Sequence, residues 1–272
     1  MFHLCPWDLV AEKLNIKVTY KMKKLIFTLS LTIISMWANA QIKPNETLVF
    51  AGSYEVSGMM TNIAQVTMQT EMMNTSKKSY LHLSLEMATF TKWDTFFKIR
   101  DLYESYVDPK TLKPSLYKRN IFEGGYYKTE KYTFQPNGRT VTSVTKKMKK
   151  PEVSKTLTIG ASTVDVVSLI YKLRTVDFSK LKAGQSLAYV ILFDSKEFPV
   201  SVKLLGRETV NAGNLGKREC FKLAIGAKTN KLKGANKNLI WLTTDSKHIP
   251  CMIKFSIPVG VGQLTLSKAS GI

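Results

Sequence analysis

The chain has 272 residues, 44% of them hydrophobic and 22% charged, with 40 Lys and Arg against 20 Asp and Glu. A chain of this length can bury a substantial core, which excludes a need for disulfide or metal staples. Its net charge of +20 favours partners with anionic surfaces.

Residues 22–40 have the pattern of a secretory signal peptide: a basic start, an apolar middle and a small-x-small cleavage site. Lysines surround Met22, an apolar run of 13 residues follows to Trp37, and cleavage is expected between Ala40 and Gln41. A helix needs about 20 residues to cross the bilayer core, so this run is too short for an anchor. An uncleaved anchor is the alternative, and the small residues at the cleavage site argue against it.

Residues 1–21 do not fit such a leader, because the acids Asp8 and Glu12 precede the basic start. We expect translation to begin at Met22 and residues 1–21 to come from an over-extended reading frame; an amphipathic extension is the alternative. No later segment resembles a membrane span, so no transmembrane segment is expected after signal removal. The protein is predicted to be exported to the periplasm, with release from the cell surface as the alternative.

Residues 41–272 form the predicted mature chain, a single β-rich domain. Removing residues 1–40, which hold five Lys and two acids, leaves 35 basic and 18 acidic residues. The expected partners are lipid, lipopolysaccharide or another anionic envelope component, and no nucleic acid, which an exported protein seldom meets. The alternative is that lysine merely keeps the protein soluble.

Alternation with period two, which is typical of β-strands, dominates the first half of this domain. It is clearest at 80–87, where Leu81, Leu83 and Leu85 alternate with polar residues. An Asn137-Gly138 turn between two such runs is a strong hairpin signal. The pattern breaks at 93–102, which favours a short helical or irregular segment. The predicted strands are 47–56, 63–72, 80–87, 103–107, 116–122, 126–134 and 139–144.

Residues 145–155 are rich in lysine and predict a basic linker, either a headgroup contact or a solvated loop. Residues 161–176 are the one convincing helix. Ser162 and Asp165 suggest a capping box at its start, and Val166, Leu169 and Leu173 fall on one apolar face. Further strands are predicted at 186–193, 198–205, 218–225, 239–243, 251–257 and 262–266.

About a dozen strands and one helix predict a mainly β fold. We expect a strongly curved antiparallel sheet, or partly open barrel, wrapped around one core helix. A two-sheet β-sandwich is the alternative. No segment repeats with a period of 20–50 residues, so the sequence does not support a propeller or solenoid.

The two cysteines of the mature chain, Cys220 and Cys251, lie in strand-like runs with a third run between them. The first and third strands of a plain meander are about 9.6 Å apart, beyond the ~7 Å Cα separation that a disulfide tolerates. A bridge therefore needs another strand order, and two buried thiols are expected instead.

The sequence yields no catalytic, metal-binding or cofactor-binding residues. His82 and His248 have no metal-ligand spacing, and no Gly-x-Ser-x-Gly elbow is present. The glycines at 260 and 262 lie between strands, so they predict a turn rather than a nucleotide loop. Glycoside hydrolysis would need two carboxylates that converge. The acids considered are Glu86, Asp94, Asp101, Glu104 and Glu123.

Aromatic residues are frequent between 103 and 134. They either line a groove for a sugar or lipid or pack against one another, and packing is favoured because aromatic residues are common in strands.

Five stretches carry a family resemblance: Glu46-Thr47-Leu48-Val49-Phe50 with Tyr54 and Gly58, residues 165–174, Gly206-Arg207-Glu208, Ile240-Trp241-Leu242-Thr243-Thr244-Asp245 with Ile249-Pro250, and Val259-Gly260 with Leu264 and Leu266. Together they resemble a bacterial exported family known only as domain of unknown function 3108. The sequence departs from that family at Phe50, usually Tyr, and at Cys251, usually a small aliphatic residue. The resemblance implies a single exported, predominantly β domain and transfers no catalytic residues.

The motif residues are expected to have structural roles. Asp165 is expected to cap the helix, Trp241 to fill the core beside it, and Asp245 to start the turn to Ile249. Arg174, Arg207 and Glu208 are expected to form an internal ion pair, which is also a structural role.

Three functions compete at this point. The first is a non-catalytic binding or carrier module for an apolar or anionic envelope ligand, since a curved sheet around a helix leaves an apolar concavity. The second is an assembly or structural partner in the cell envelope. The third, ranked last, is a glycan-acting enzyme, so no enzyme activity and no cofactor are expected.

Overall fold

Fourteen strands account for most of the domain. A computed structural model of the protein describes residues 42–56, 58–227, 238–257 and 260–272. The strands are β1 (Thr47–Val56), β2 (Met59–Asn74), β3 (Ser79–Thr89), β4 (Arg100–Val107), β5 (Pro114–Glu123), β6 (Tyr126–Phe134), β7 (Thr140–Lys147), β8 (Val153–Thr158), β9 (Ser186–Phe193), β10 (Lys196–Asn211), β11 (Lys217–Ala227), β12 (Leu239–Thr243), β13 (Pro250–Ile257) and β14 (Gly260–Ser270).

All fourteen strands belong to one antiparallel sheet, with the order β8-β7-β6-β5-β4-β3-β2-β1-β14-β13-β12-β11-β10-β9. The chain therefore forms two meanders that the first and last strands join, and β8 and β9 are the two edges. The mainly β, antiparallel prediction is confirmed. The alternative of a two-sheet sandwich is wrong, because the strands form one continuous hydrogen-bonded sheet.

The connections between strands lie at two opposite ends of this sheet. Antiparallel neighbours reverse direction at each turn, so alternate connections share an end. One end holds the β1–β2, β3–β4, β5–β6, β7–β8, β9–β10 and β13–β14 connections. It also holds the helix α1 (Thr91–Phe97), and we name it the α1 end.

The second helix, α2 (Val166–Leu173), connects β8 to β9 and is mostly buried. It is shorter than the predicted 161–176. Asp165 is its N-cap residue, and the Asp165 carboxylate accepts a hydrogen bond from the Ser168 backbone N–H at 2.8 Å. The expected capping box with Ser162 is wrong, because the helix begins four residues after Ser162.

Helix α2 packs into both parts of the core. Leu169 and Leu173 belong to the cluster that includes Ile240 and Leu242 of β12. Val167 and Tyr171 belong to the cluster that includes the inward-facing residues of β1 to β3. The helix contacts β3, β4 and β9. None of the helices in the described ranges is long and apolar enough to cross a membrane.

Residues 145–155 form a hairpin instead of the predicted linker. β7 continues to Lys147 and β8 begins at Val153, with Thr145 paired to Val153. The alternation was hidden because β8 is an edge strand whose residues are almost all exposed, so no apolar periodicity marks it.

The sheet curves strongly enough to bring its two halves into contact. The β9–β10 turn at Asp194 and Ser195 contacts Arg119 of β5, Lys128 of β6 and Ser143 of β7. These strands lie near opposite ends of the strand order, so only a strongly curved sheet permits the contacts.

Candidate functional site: a lysine-rimmed cleft

A cleft of about 360 Å³ lies at the α1 end, between the inner face of β6 to β8 and the β9–β10 turn. The register explains its lining. Lys128 pairs with Lys147, and Glu130 pairs with Thr145, so their side chains share one face. Lys155 of β8 joins that face because it pairs with Ser143. The lining residues are Lys128, Glu130, Ser143, Thr145, Lys147, Lys150, Pro151, Val153, Lys155, Asp194 and Ser195.

Three lysines give the cleft its positive charge. Lys147, Lys150 and Lys155 are exposed, and no carboxylate among the described residues lies within ion-pair distance of their Nζ atoms. Pro151 and Val153 are the apolar members of the lining, so most of the surface presented to a ligand is polar. An uncompensated group of lysines in a concave site attracts anions.

The floor of the cleft is a buried network of two cations and two carboxylates. Arg119 is 1% exposed, and its Nη2 lies 2.8 Å from Glu130 Oε2 and also donates to Asp194. Lys128 Nζ lies 2.5 Å from Asp194 Oδ1 and 3.4 Å from Glu130 Oε1. The formal charges of these four residues cancel, so Lys147, Lys150 and Lys155 set the net charge of the cleft.

The β9–β10 turn presents Asp194 to this network in a constrained backbone. Asp194 and Ser195 have φ of 47° and 58°, which is the type I′ geometry of a two-residue hairpin. Burial alone would raise the pKa of Asp194, but hydrogen bonds from Lys128 and Arg119 outweigh it and hold that pKa below its ordinary value. Asp194 is therefore ionised at neutral pH.

Ser195 fixes the turn to the opposite wall. Its backbone N–H donates to the Tyr132 hydroxyl at 2.8 Å, and its hydroxyl lies 2.8 Å from that of Ser143. Tyr132 in turn stacks on Tyr117, with ring centroids 5.3 Å apart. Both tyrosines are fully buried, so these two aromatic residues of the 103–134 region pack and do not line an open groove.

Arg119 has hydrogen-bonding capacity that the described residues do not use. Among the described residues, no acceptor is paired with its Nε or Nη1, although the guanidinium lies 4.2 Å from the centre of the Phe193 ring. Two donor nitrogens of this buried guanidinium thus lack an acceptor, while its Nη2 atom contacts the carboxylates of Glu130 and Asp194. Buried donors of this kind gain strongly from an oxygen acceptor.

Among the acids that the sequence analysis considered, Asp101 and Glu123 converge, but they lie away from the cleft. Burial and the neighbouring Glu123 carboxylate raise the pKa of Asp101 to about 7. Asp101 Oδ1 accepts a hydrogen bond from the Phe122 N–H at 3.1 Å, and the residue is almost fully buried. Neither acid lines the cleft. Of the other acids considered, Asp94 pairs with Arg100, and Glu104 lies 3.0 Å from His82 Nε2.

The expected ion pair among Arg174, Arg207 and Glu208 is wrong. Arg174 makes two hydrogen bonds to Glu46, at 2.6 and 2.7 Å, at the start of β1. Arg207 pairs with Glu219 at 3.2 Å. Arg207 and Glu208 are neighbours in one strand, so their side chains point to opposite faces.

Glu208 instead joins Trp241 and Lys222. Its carboxylate accepts from Trp241 Nε1 at 3.2 Å and lies 2.8 Å from Lys222 Nζ. Trp241 is buried, as expected. However, Ile240 and Leu242 on either side of it are the residues of β12 in the core cluster that contains Leu169 and Leu173 of α2. Trp241 therefore points to the other face of β12, not beside the helix.

Asp245 holds the turn after β12, where its carboxylate accepts from the Lys247 N–H and the Thr243 hydroxyl. Cys220 and Cys251 are free, buried thiols. Their strands flank β12 in a plain meander, as the sequence predicts. A hydrogen bond to Cys220, together with burial, raises the pKa of Cys251.

No group of three or more metal-ligating side chains occurs in the part of the chain that the structure describes. The expected cleavage site at Ala40 and Gln41, the leader 22–40 and residues 1–21 lie outside the described residues. The cleft itself was missed by sequence reasoning. The lysine run at 146–150 was its one visible signal, and its other half comes from a turn about 45 residues later.

A curved antiparallel sheet with a polar cleft at its α1 end defines the class of protein. The chain belongs to the family described as "Protein of unknown function (DUF3108)", whose model matches residues 53–267. The resemblance seen in the sequence is thereby confirmed. No curated protein matches the chain.

The chain is similar, to different degrees, to three solved structures. A β-barrel-like protein of domain of unknown function DUF1849 from Brucella abortus has a TM-score of 0.54 at 13% identity, over 85% of this chain and 99% of that chain. A protein described as exported, with a YmcC-like fold, from Bacteroides fragilis has a TM-score of 0.32 at 10% identity, over 85% and 99%. A protein described as a lipoprotein from Parabacteroides distasonis has 0.34 at 7% identity, over 86% and 98%. The first supports a barrel-like fold and carries no function.

Proposed function

We propose that this protein is an exported, non-catalytic binding module of the bacterial cell envelope, and that its cleft takes the anionic group of an envelope ligand. The observation that carries the proposal is the set of three uncompensated lysines, Lys147, Lys150 and Lys155, around a concave polar site. The proposal includes the arrangement in which the curved sheet wraps around α2, supported by contacts of the helix with β3, β4 and β9.

The lining favours a phosphorylated saccharide over an apolar molecule. Lysines bind phosphate as mobile point charges, while the hydroxyls of Ser143, Thr145 and Ser195 suit neutral sugar oxygens. Among the eleven lining residues, only Pro151 and Val153 would offer an apolar side chain to an apolar ligand.

Calorimetry with a defined probe tests the proposal. The probe is the de-acylated, phosphate-bearing carbohydrate of lipopolysaccharide, with its dephosphorylated form as the matched ligand control. Binding is expected only for the phosphorylated form, with an affinity that falls as salt rises. Equal affinity for both forms, or no heat with either, would contradict an anion-binding cleft.

A triple variant locates the site. Lys147→Gln, Lys150→Gln and Lys155→Gln together should weaken binding by more than about tenfold, since a hydrogen bond to a charged group contributes roughly 1.5–3 kcal/mol. The control removes the same charge at the opposite end through Lys77→Gln, Lys110→Gln and Lys182→Gln, all exposed residues. If both variants lose affinity equally, binding follows net charge and not the cleft.

Export rests on the leader at 22–40 and is tested separately. N-terminal sequencing of the protein from the periplasmic fraction should give Gln41 as the first residue. A product that retains residues 22–40 would show an uncleaved anchor instead.

A further inference from the structure

Large apolar side chains are exposed mainly at one end of the sheet. Of the twelve that are exposed among the described residues, ten lie at the α1 end and two, Met72 and Met73, at the opposite end. Met59 begins β2 and is 69% exposed, while Phe96 on α1 is 79% exposed. A packed core does not account for this asymmetry. We name residues 59–60, 90–98, 126–127 and 146–153 the rim.

Hydrogen bonds to backbone carbonyls join the parts of the rim into one continuous surface. Trp93 Nε1 of α1 donates to the Asn62 carbonyl of β2 at 3.2 Å. The Gly124 N–H of the β5–β6 turn donates to the Lys98 carbonyl at 2.9 Å, and the Met148 N–H donates to the Tyr127 carbonyl at 2.8 Å. The exposed apolar side chains of the rim therefore belong to one patch that spans four connections between strands.

Helix α1 contributes the most exposed part of this patch. None of its seven residues is buried. Phe97 lies against the β5–β6 turn, where a side chain on Gly124 would meet its ring, and yet Phe97 remains about half exposed. A short helix that is fixed at both ends and shows aromatic rings to solvent marks an interaction surface.

The apolar side chains of the rim alternate with lysines. Lys92, Lys98, Lys146 and Lys149 are all exposed. Lys92 Nζ lies 5.9 Å from the centre of the Trp93 ring, and Lys98 Nζ lies 5.8 Å from that of Phe122. Lysine stems can thus lie along apolar surface while their charged ends reach outward. Asp94, the acid within α1, is neutralised by Arg100 at 2.6 Å.

We propose that the rim docks onto an anionic lipid bilayer surface. Aromatic residues and methionines would enter the headgroup boundary, and the lysines would bind lipid phosphates. Aromatic rings, apolar side chains and lysines at one level are the combination that such an interface selects, and the positive charge complements anionic lipid. The inference stands apart from the proposed ligand, although the cleft lies at the same end and would face the membrane.

Vesicle flotation of the purified protein tests the docking. Vesicles of phosphatidylcholine with phosphatidylglycerol should bind the protein, and vesicles of phosphatidylcholine alone should bind it far more weakly. Met59→Ser with Met60→Ser should reduce binding by about tenfold, because exposed apolar side chains leave water on docking. The matched control, Met72→Ser with Met73→Ser, removes the same chemistry at the opposite end and should change binding by less than about twofold.

A second pair of variants tests the charge. Lys92→Gln with Lys149→Gln avoids the cleft lining and should weaken binding by about fivefold per lysine. Lys77→Gln with Lys182→Gln at the opposite end is the control. Equal losses for the two ends, equal binding to neutral vesicles, or a change in oligomeric mass instead of vesicle binding would overturn the proposal.

The two proposals fail separately. The Met59→Ser, Met60→Ser variant should keep its affinity for the soluble phosphorylated carbohydrate while it loses vesicles. If the natural protein binds anionic vesicles but does not bind the phosphorylated carbohydrate, the cleft function is overturned and the rim proposal stands.

Discussion

Arg174 and Glu46 form a bidentate ion pair in which both residues are 2% exposed, although 128 positions separate them in sequence. The pair joins the C-terminus of α2 to the residue before β1. His248 Nδ1 adds a contact of 2.8 Å to the Arg174 carbonyl. Breaking such a pair leaves a buried charge without a partner, which costs far more than an exposed pair contributes.

Glu46→Gln should lower the free energy of unfolding by roughly 3 kcal/mol, because it keeps the shape of the side chain and leaves Arg174 uncompensated. Glu219→Gln is the control, since the Arg207–Glu219 pair is about half exposed and should contribute less than about 1 kcal/mol. Urea unfolding of both variants measures the difference. If the two variants lose similar amounts of unfolding free energy, burial does not strengthen the contribution of the Arg174–Glu46 pair.

Asp101 makes stability depend on pH. Its pKa is raised to about 7 by burial and by Glu123, above the value of about 4 expected in the unfolded chain. The folded state therefore binds more protons between these values. Its stability contribution is fully present below about pH 4 and is lost as pH rises through about 7.

Asp101→Asn mimics the protonated acid and should remove this dependence. At pH 8 the variant should be more stable than the natural protein by roughly 2 kcal/mol, and near pH 4 the difference should vanish. Urea unfolding at several pH values measures both ends of the range. If the stability of the variant falls with rising pH as steeply as that of the natural protein, the pH dependence comes from another group.

At the scale of elements, the β9–β10 turn is the piece that closes the cleft. Asp194→Asn keeps a residue that tolerates positive φ and removes the charge that Arg119 and Lys128 share. Stability at neutral pH should fall by roughly 2–4 kcal/mol. Because the pKa of Asp194 is depressed, its contribution is present above the unfolded pKa and is lost on acidification. The variant and the natural protein should therefore converge in acid; a constant difference would point to turn geometry.

The same elements show how far the sequence predicts the structure. Strands such as 80–87 and the Asn137-Gly138 hairpin were predictable, because one buried face and local turn chemistry leave a periodic pattern. β8 was not, since an exposed edge strand beside a polar cleft has no apolar period. The partner of Arg174 was not predictable either, because closure of the sheet chooses among many distant acids.

For the cleft, only the lysine run at 146–150 was visible in the sequence. Asp194 and Ser195 read as an ordinary turn between two strands. Their place in the site follows from curvature, which brings the β9–β10 turn to the inner face of β5 to β7. Curvature is set by the summed twist and bulges of fourteen strands, and no short segment encodes it.

At the scale of the whole molecule, exposed large apolar side chains are concentrated at one end of the described sheet, while the opposite end is fastened by the Arg174–Glu46 pair. The cleft and the rim thus lie together at the end where the edge strand β8 begins. β8 has one partner strand and exposed residues. β12, with four of five residues buried and a partner on each side, is its opposite.

Hydrogen exchange should report this gradient and its response to each partner. Amides of β8 should exchange fastest among the strands and those of β12 slowest, because local opening follows burial and pairing. The phosphorylated carbohydrate should slow β8, whose Val153 and Lys155 line the cleft, and leave α1 unchanged. Anionic vesicles should instead slow exchange at 90–98 and at the β5–β6 turn. Protection of β8 and α1 to the same degree by both partners would mean that cleft and rim form a single site.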